Sequence, residues 1–538
     1  MILLELKLKS FLKNILNRGQ IMKINASDAL IKTLINNGLE VVFANPGTSE
    51  MHLVAAIDHN PKVRPVLGLF EGVVSGAADG YARMSGKAAA NLLHLGPGLG
   101  NAFANIHNAR KANSPMVNIV GDHASYHLKH NAPLTSDLDG LSNVSSDWVG
   151  RLDGPKNISK LANTAWKKAN SPSGKIATMI IPADYAWSDI DIDIEQKIEL
   201  NNPKSVDYND IIKAYDLLKK DKSMLFIGGR FLDEECLKLA SHIASAANCR
   251  LVTDTFIPKI RRGAALPIIE QVPYFAEMAE LFLADTQSIV FIGSRPPVSF
   301  FAYPDKKSFL SPDSAELFEL CSNEDDGVSA LNELKDLSGS TKIDEKFIQS
   351  YIGEVPTSGD LDATTIGPLI AGLMPEDSIV SDEAATSSLL VSPFALQAKP
   401  HDWLALCGGS IGQGLPLAVG ASLAKPDRPV ITLHGDGGAM YTVQALWTQA
   451  RENLNITNII FSNRSYEILK IELDRVQAIE TGNRAASMFS LDNPPINWCQ
   501  LSESMGVPAY NPKTVKEFTD FFNKSINEPG PSLIELNV

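Results

Sequence analysis

The stretch VITLHGDGGAM, residues 430–440, is followed 27 positions after Asp436 by Asn463 in FSNRSY. It opens as an apolar run of the kind that forms a strand buried on both faces. A Gly-Asp-Gly-Gly turn ends the run, a helical segment AMYTVQALWTQARENL follows, and a second apolar run, ITNIIFS, stops at Asn463. A right-handed strand–helix–strand crossover lays two such strands parallel, with their carboxyl ends side by side. Asp436 and Asn463 are then expected to be neighbours just beyond those ends, where open α/β sheets take their ligands. One carboxylate and one neutral amide are too weak a set for a complete protein cage. They suit Mg2+, which keeps water and completes its octahedron with phosphate oxygens. Gly435, Gly437 and Gly438 would let amides of the next helix face that phosphate. The same turn also reads as an ordinary strand-to-helix junction with Asp436 as N-cap.

Working outward, short apolar strands alternate with helical stretches from Met22 onward, the pattern of parallel α/β sheets. VVFANPG, PVLGLFE, AANLLHLGPG, PMVNIVGD and IATMIIPADYAW belong to a first unit; SMLFIGGR, RLVTDT and SIVFIGSRPP to a second. SIVSDEAAT, LCGGSIGQGLPLAVGASLA, PVITLHGDGG, TNIIFSN and PSLIELNV make a third. The expected fold is therefore α/β, three doubly wound parallel-sheet domains at 22–190, 205–335 and 360–538. Length alone supports that count, since 538 residues exceed what one ordinary core holds.

A net charge of −14 argues against nucleic acid or an anionic membrane as partner. No apolar run approaches the roughly 18 residues needed to span a bilayer. The five cysteines, Cys236, Cys249, Cys321, Cys407 and Cys499, are scattered and lack metal-like spacing, which predicts a reducing, cytoplasmic setting. Residues 1–21, MILLELKLKSFLKNILNRGQI, stand apart as an extension or a start assigned too far upstream. They carry Glu5 and interrupting lysines and have no small-residue cleavage site.

Gly435-Asp436-Gly437, then 25 residues, then Asn463 resembles the signature of thiamine diphosphate enzymes. The likeness runs from Met22 to the end, in that family's order of pyrimidine-binding, middle and diphosphate-binding domains. It implies thiamine diphosphate and Mg2+ as cofactors, with Asp436, Asn463 and the carbonyl of Ser465 as metal ligands. Gly437, Gly438 and Tyr466 flank that site and are cofactor-binding candidates. Glu71, in GLFEGVVSGAADGYAR, matches the family's catalytic glutamate, which bonds N1′ of the aminopyrimidine and promotes its imino tautomer. By itself Glu71 is also a dipole-favoured acid in a first helical turn. In LCGGSIGQGLP, the resemblance gives the carbonyl of Gly409 to the 4′-amino group and makes Ile411 the wedge that bends the cofactor; Ile411 otherwise reads as core. SDEAAT matches a diphosphate-contacting turn, where Ala384 and Ala385 stand in place of hydroxyl residues and Thr386 remains a donor.

The substrate pocket follows in the same way. NLLHLGPGLGNA resembles a segment of benzoylformate decarboxylases, making His94 the acid–base candidate, and Thr48 in NPGTSE matches a hydroxyl residue at the substrate carboxylate. The family's second pocket histidine falls near PPVSFFAY, where Phe300 and Phe301 stand. In DHASYHLKH, one of His123, His127 and His130 is expected to be functional. IPKIRRGAALP has no Gly-His-Gly run of the flavin-binding type, so FAD is left open. FANPGTSEMH and LHLGPGLGN are similar to proteins called acetolactate synthase large-subunit-like. The reaction implied is decarboxylation of a small 2-oxo acid followed by carboligation, with simple decarboxylation as the alternative. A catalytically silent regulatory homologue and a dinucleotide oxidoreductase are weaker readings, the latter because GPGLGN lacks the full fingerprint. The resemblance also implies a homodimer or homotetramer with active sites between subunits.

Overall fold

The computed structural model describes residues 23–191, 197–476 and 482–538; the 1–21 segment lies outside them. The first sheet orders its strands Arg64–Leu67, Val41–Ala44, Ala89–His94, Met116–Asp122, Ile176–Pro182, Trp148–Arg151, all parallel. Its central strand Met116–Asp122 is buried at every position, as a strand covered on both faces requires. The last sheet orders His401–Ala405, Ile379–Glu383, Val430–Gly435, Ile456–Ser462, Ser532–Asn537, Ala509–Tyr510. Numbered along the chain within each sheet, both read 2-1-3-4-6-5. The two outer units thus share one topology, and each has its switch point between its first and third strands. The middle sheet, Glu270–Gln271, Arg250–Thr253, Ser223–Ile227, Ser288–Ile292, Glu316–Cys321, reads 3-2-1-4-5 and is parallel throughout.

One strand departs from the parallel pattern. Ile260–Arg262, which follows the middle sheet's second strand, pairs antiparallel with His401–Ala405 at the edge of the last sheet. Ile260 is buried there, and Arg262 lies with its guanidinium carbon 3.7 Å from the Trp403 ring centre. The middle unit is thereby sewn to the C-terminal one, a pairing no local sequence pattern announces.

The outer units join through two helices. Glu71–Ser85 is buried along nearly its whole length, and Gly414–Ala424 is apolar on all sides, so each is a core helix. They cross backbone to backbone. A β-carbon on Gly80 would strike the Leu417 carbonyl, and one on Gly420 the Ala77 carbonyl and Tyr81 amide. Side chains of both units accordingly form one continuous apolar cluster, including Val73, Ala77, Leu415 and Ala418. Beside the crossing, Asp79 holds Arg83 through two bonds of 2.8 and 2.7 Å and accepts from Ser114 and Gln413. Arg83 in turn donates to the carbonyls of Pro258 and Ala405, so one buried ion pair touches all three units.

All five cysteines are free. No helix among the described residues is long and apolar enough to cross a membrane.

This crossing predicts that Gly80→Ala costs about 1–3 kcal/mol or more, the usual range for overpacking. Arg83→Met, which strands the buried Asp79 carboxylate, should cost about 3–5 kcal/mol. Denaturant titration checks both, and wild-type stability of Gly80→Ala would rule out so close a helix approach.

Candidate active site

Both switch points carry the residues singled out from the sequence. In the C-terminal unit the helix expected after the GDGG turn is broken into Asp436–Ala439, a 3-10 turn Met440–Thr442 and Ala445–Arg451. Asp436 begins the first piece, directly after its strand. Gly435 pairs in register with Phe461, two residues before Asn463, which brings the two expected ligands together. Asp436 is buried and accepts from the amides of Gly437, 2.9 Å, and Arg464, 2.8 Å. No ion pair reaches it among the described residues, and burial holds its carboxyl above the ordinary carboxylate value. Arg464 takes a left-handed backbone, φ 54°, at the turn between Asn463 and Ser465. The Asn463 side-chain oxygen accepts from the Ser465 amide at 3.0 Å. The Ser465 carbonyl has no donor among the described residues.

This donor set fits a divalent cation. A buried carboxylate that makes no ion pair among the described residues, an amide oxygen and an unpartnered carbonyl are hard oxygen ligands, too few to enclose the ion and suited to sharing it with phosphate. Among the described residues no cluster of three or more His, Cys, Asp or Glu side chains offers a competing metal site. Tyr466 lies across Gly437, where any β-carbon would meet its ring, and its hydroxyl is 3.4 Å from the Gly437 carbonyl. Thr386 sits half-buried in a 3-10 turn, Ala385–Ser387, and its hydroxyl has no partner among the described residues.

The glycine loop before helix Gly414–Ala424 shows an alternation. The carbonyl of Gly408 takes His107 at 3.0 Å, that of Ser410 takes Asn108 at 2.7 Å, and that of Gly412 takes Thr442 at 2.8 Å. Between them, the carbonyl of Gly409 has no donor among the described residues. Gly409 and Gly412 need glycine because their φ angles are +74° and +94°. Ile411 is half-buried and belongs to no core cluster, as a side chain set against a ligand would be. Asn105 donates to the Gly72 carbonyl at 2.8 Å and the Gly412 carbonyl at 3.3 Å, tying the loop to the turn after Glu71.

Glu71 opens its helix at the other switch point, buried, held by Asn45 at 3.3 Å and Asn101 at 3.0 Å. His94 ends its strand and places Nδ1 2.8 Å from Glu50 and 3.2 Å from Ser49. Glu50 is fully buried and also accepts from the Gly47 amide at 2.9 Å. A carboxylate there fixes the tautomer with the proton on Nδ1 and leaves Nε2 for proton transfer. Thr48 is exposed in the adjoining turn, Thr48–Glu50. Sequence reasoning missed Glu50; its signal was the Gly-to-Glu capping spacing in GTSE.

Phe300 packs on Gly409, where a β-carbon would meet its ring. It clusters with Phe256, Tyr274 and Phe301 at ring separations of 5.2, 5.8 and 4.7 Å. The substitution noted from the sequence thus puts a phenyl ring, not an imidazole, against the glycine loop. His123, His127 and His130 lie in a row with tilted rings, centres 5.4 and 5.7 Å apart, instead of converging on a point.

At the middle switch point, Asn323 fills the space over Gly229, accepting from the Arg230 amide and donating to the Gly293 carbonyl. Phe231 covers Gly293 and Gly327. These side chains occupy the place where a dinucleotide pyrophosphate would lie, so the residues there do not fit FAD.

Two family models match the chain. Residues 24–142 match the thiamine pyrophosphate enzyme N-terminal TPP binding domain, and residues 384–536 the C-terminal TPP binding domain. A Mycobacterium tuberculosis protein named "Putative acetolactate synthase large subunit IlvX" is 43% identical over 96% of this chain and 99% of its own. Benzoylformate decarboxylase of Pseudomonas aeruginosa is 24% identical over 94% of this chain and 98% of its own. Among solved structures, the thiamine diphosphate-dependent 4-hydroxybenzoylformate decarboxylase of Rhodococcus jostii superposes with a TM-score of 0.81 at 23% identity, covering 96% and 99% of the two chains. Benzoylformate decarboxylase of Polynucleobacter necessarius gives 0.82 at 19% identity, with the same coverage.

The uncompensated Asp436 yields a prediction with a sign. Its pKa is raised by burial, so the ionised form costs stability above that pKa, and the cost is relieved as pH falls. Asp436→Asn should therefore be at least as stable as wild type at neutral pH without metal. Wild type should gain about 2.7 kcal/mol from Mg2+ and diphosphate at a hundredfold excess over Kd. The variant should gain nothing. Thermal melts with and without the two ions decide it, and an equal gain in the variant removes Asp436 from the metal site.

Proposed function

Because the chain belongs to the thiamine pyrophosphate enzyme family, we propose that it decarboxylates a 2-oxo acid and joins the product to a second carbonyl compound, in the manner of acetolactate synthases. The observation that carries this reading is the buried, unpaired Asp436 carboxylate gathered with Asn463 and the Ser465 carbonyl at one switch point. In this reading those three would hold Mg2+, and Thr386, Gly437 and Gly438 would stand beside the cofactor's diphosphate. When bound, thiamine diphosphate supplies the electron sink for the pair released as CO2 leaves.

The chain's own residues do the rest. The free Gly409 carbonyl would accept from the cofactor's 4′-amino group, and Ile411 would rest against its rings. Glu71, positioned by Asn45 and Asn101, keeps a proton at N1′ of the aminopyrimidine. Thr48 meets the substrate carboxylate. His94, with its tautomer set by Glu50, moves a proton at the substrate carbonyl oxygen through Nε2. Phe300, unlike an imidazole, offers no proton of its own beside the glycine loop, which slows aldehyde release and favours attack on a second carbonyl. The active protein is a homo-oligomer, at least a dimer, with Glu71 of one subunit serving the metal site of another.

A second reading, simple decarboxylation to the aldehyde, is favoured by one observation: His94 and Glu50 are a complete proton-transfer pair.

Incubation of the purified protein with pyruvate or benzoylformate, with and without thiamine diphosphate and Mg2+, tests the reading. CO2 release that depends on both cofactors and yields a carboligated product supports it, and cofactor-independent turnover overturns it. Glu71→Gln should still bind thiamine diphosphate but lose turnover by roughly 10²–10⁴-fold, the usual contribution of a placed acid–base group. Hydrogen–deuterium exchange at C2 of the bound cofactor isolates that step, and wild-type exchange in the variant would reduce Glu71 to a helix-terminal acid. Phe300→His should raise the fraction of product released as aldehyde; an unchanged ratio would separate Phe300 from the choice of product.

A further inference from the structure

Glu383 ends the first strand of the C-terminal sheet and His434 lies opposite it, in register, on the third. Both are buried. The Glu383 carboxylate accepts from three consecutive backbone amides, Gly412 at 2.5 Å, Gln413 at 2.6 Å and Gly414 at 2.6 Å. Its Oε2 also lies 3.4 Å from His434 Nε2. The other ring nitrogen of His434, Nδ1, donates to the Gly435 carbonyl at 3.1 Å, immediately before Asp436. The pair fills the space between the glycine loop and the metal-ligand turn, and two glycines make room for it. A β-carbon on Gly414 would crowd the His434 ring, and one on Gly438 would press on both Glu383 and His434.

We propose that Glu383 and His434 are positioning residues that couple the glycine loop to the metal-ligand turn. Through them, closure of one around its part of the cofactor sets the other. The inference rests on the reading that these two elements receive the cofactor's aminopyrimidine and its Mg2+-diphosphate. A carboxylate that merely capped helix Gly414–Ala424 would need no partner on the metal strand, and it would not call for glycine at 438. Three amides on one carboxylate are charge-assisted bonds, strong enough to hold the loop's backbone in place. His434 then transmits that position to Gly435 and Asp436 over two contacts.

The test uses the full chain without cofactor and Mg2+ with inorganic diphosphate as the probe. Hydrogen exchange is followed by mass spectrometry at the amides of Gly412, Gln413 and Gly414. In wild type, the probe at the metal turn should slow their exchange by about fivefold or more, the lower end of typical inter-site coupling. In His434→Gln the probe should still bind while the slowing disappears. Glu383→Gln should weaken thiamine diphosphate by about tenfold, the scale of one lost bond to a charged group, while diphosphate affinity holds. Glu383→Asp should recover most of that loss, because it restores the charge. Equal slowing in wild type and His434→Gln overturns the coupling, as does Glu383→Gln binding the whole cofactor as wild type does. Failure of wild type to bind either probe or cofactor overturns the functional reading itself, and the coupling with it. Melting curves of each variant separate misfolding from lost coupling, and His434→Gln decides the matter where Glu383→Gln does not fold.

Discussion

The close crossing of helices Glu71–Ser85 and Gly414–Ala424 is the constraint on which the site depends. Glu71 is the first residue of one helix, and the glycine loop 408–413 leads into the other, so the crossing fixes how one chain presents both elements to the sites it shares with its partner in the proposed dimer. Gly80 against the Leu417 carbonyl and Gly420 against the Ala77 carbonyl bring the backbones into contact. Any larger residue would separate them and move both elements. The Asp79–Arg83 pair reinforces the crossing, since Gln413, the last loop residue, is itself a donor to Asp79. A buried ion pair is a weak source of net stability, but removing one partner is costly, so the pair acts mainly to forbid other arrangements.

The shared strand order explains why the chemistry lies where it does. In each outer unit, strands one and three diverge into a crevice at their carboxyl ends. The N-terminal crevice receives Asn45, Glu71 and His94; the C-terminal crevice receives Glu383, Asp436 and Asn463. One topology thus serves the two halves of the proposed site, the first carrying the residues proposed to handle protons and the second those proposed to bind the cation. The middle unit has a switch point too, but Asn323 and Phe231 have closed it. Its contribution lies elsewhere, in the aromatic side chains it lays on Gly409.

Much of this was legible in the sequence, for definite reasons. Asp436 and Asn463 could be paired because right-handed crossovers leave few choices once two buried strands flank one helical segment. Glu71 and the wall of glycines stood out through small residues, which mark close backbone approach. Three things were not legible. Glu50 meets His94 across 44 positions and Glu383 meets the amides of residues 29 to 31 positions downstream, and neither contact leaves a local pattern. The antiparallel strand Ile260–Arg262 is three residues long, too short for any periodicity to register. The broken helix after GDGG read as continuous because apolar spacing there survives the 3-10 turn, which owes its place to backbone geometry.

The groups left unmatched at the site describe its ligand in negative. Among the described residues, Asp436 makes no ion pair, the carbonyls of Ser465 and Gly409 have no donor, and the Thr386 hydroxyl has no partner. Buried polar groups in folded proteins are nearly always paired, and Thr386, only half-buried, adds a free hydroxyl beside them. Three non-glycine residues with left-handed backbones, Leu95, Ala385 and Arg464, stand next to His94, Thr386 and Asn463. Each such conformation costs on the order of 1–3 kcal/mol and persists where its surroundings enforce it. The deficits differ in kind, and that difference is informative. Asp436, Asn463 and Ser465 ask for a cation, Thr386 for an acceptor such as phosphate, and Gly409 for an N–H donor on a flat apolar body that can rest against Ile411. A small anion would meet only the second need and a free metal ion only the first. An aminopyrimidine carried on a Mg2+-bound diphosphate meets all three at once, and Glu383 and His434 lie between the elements that make those demands.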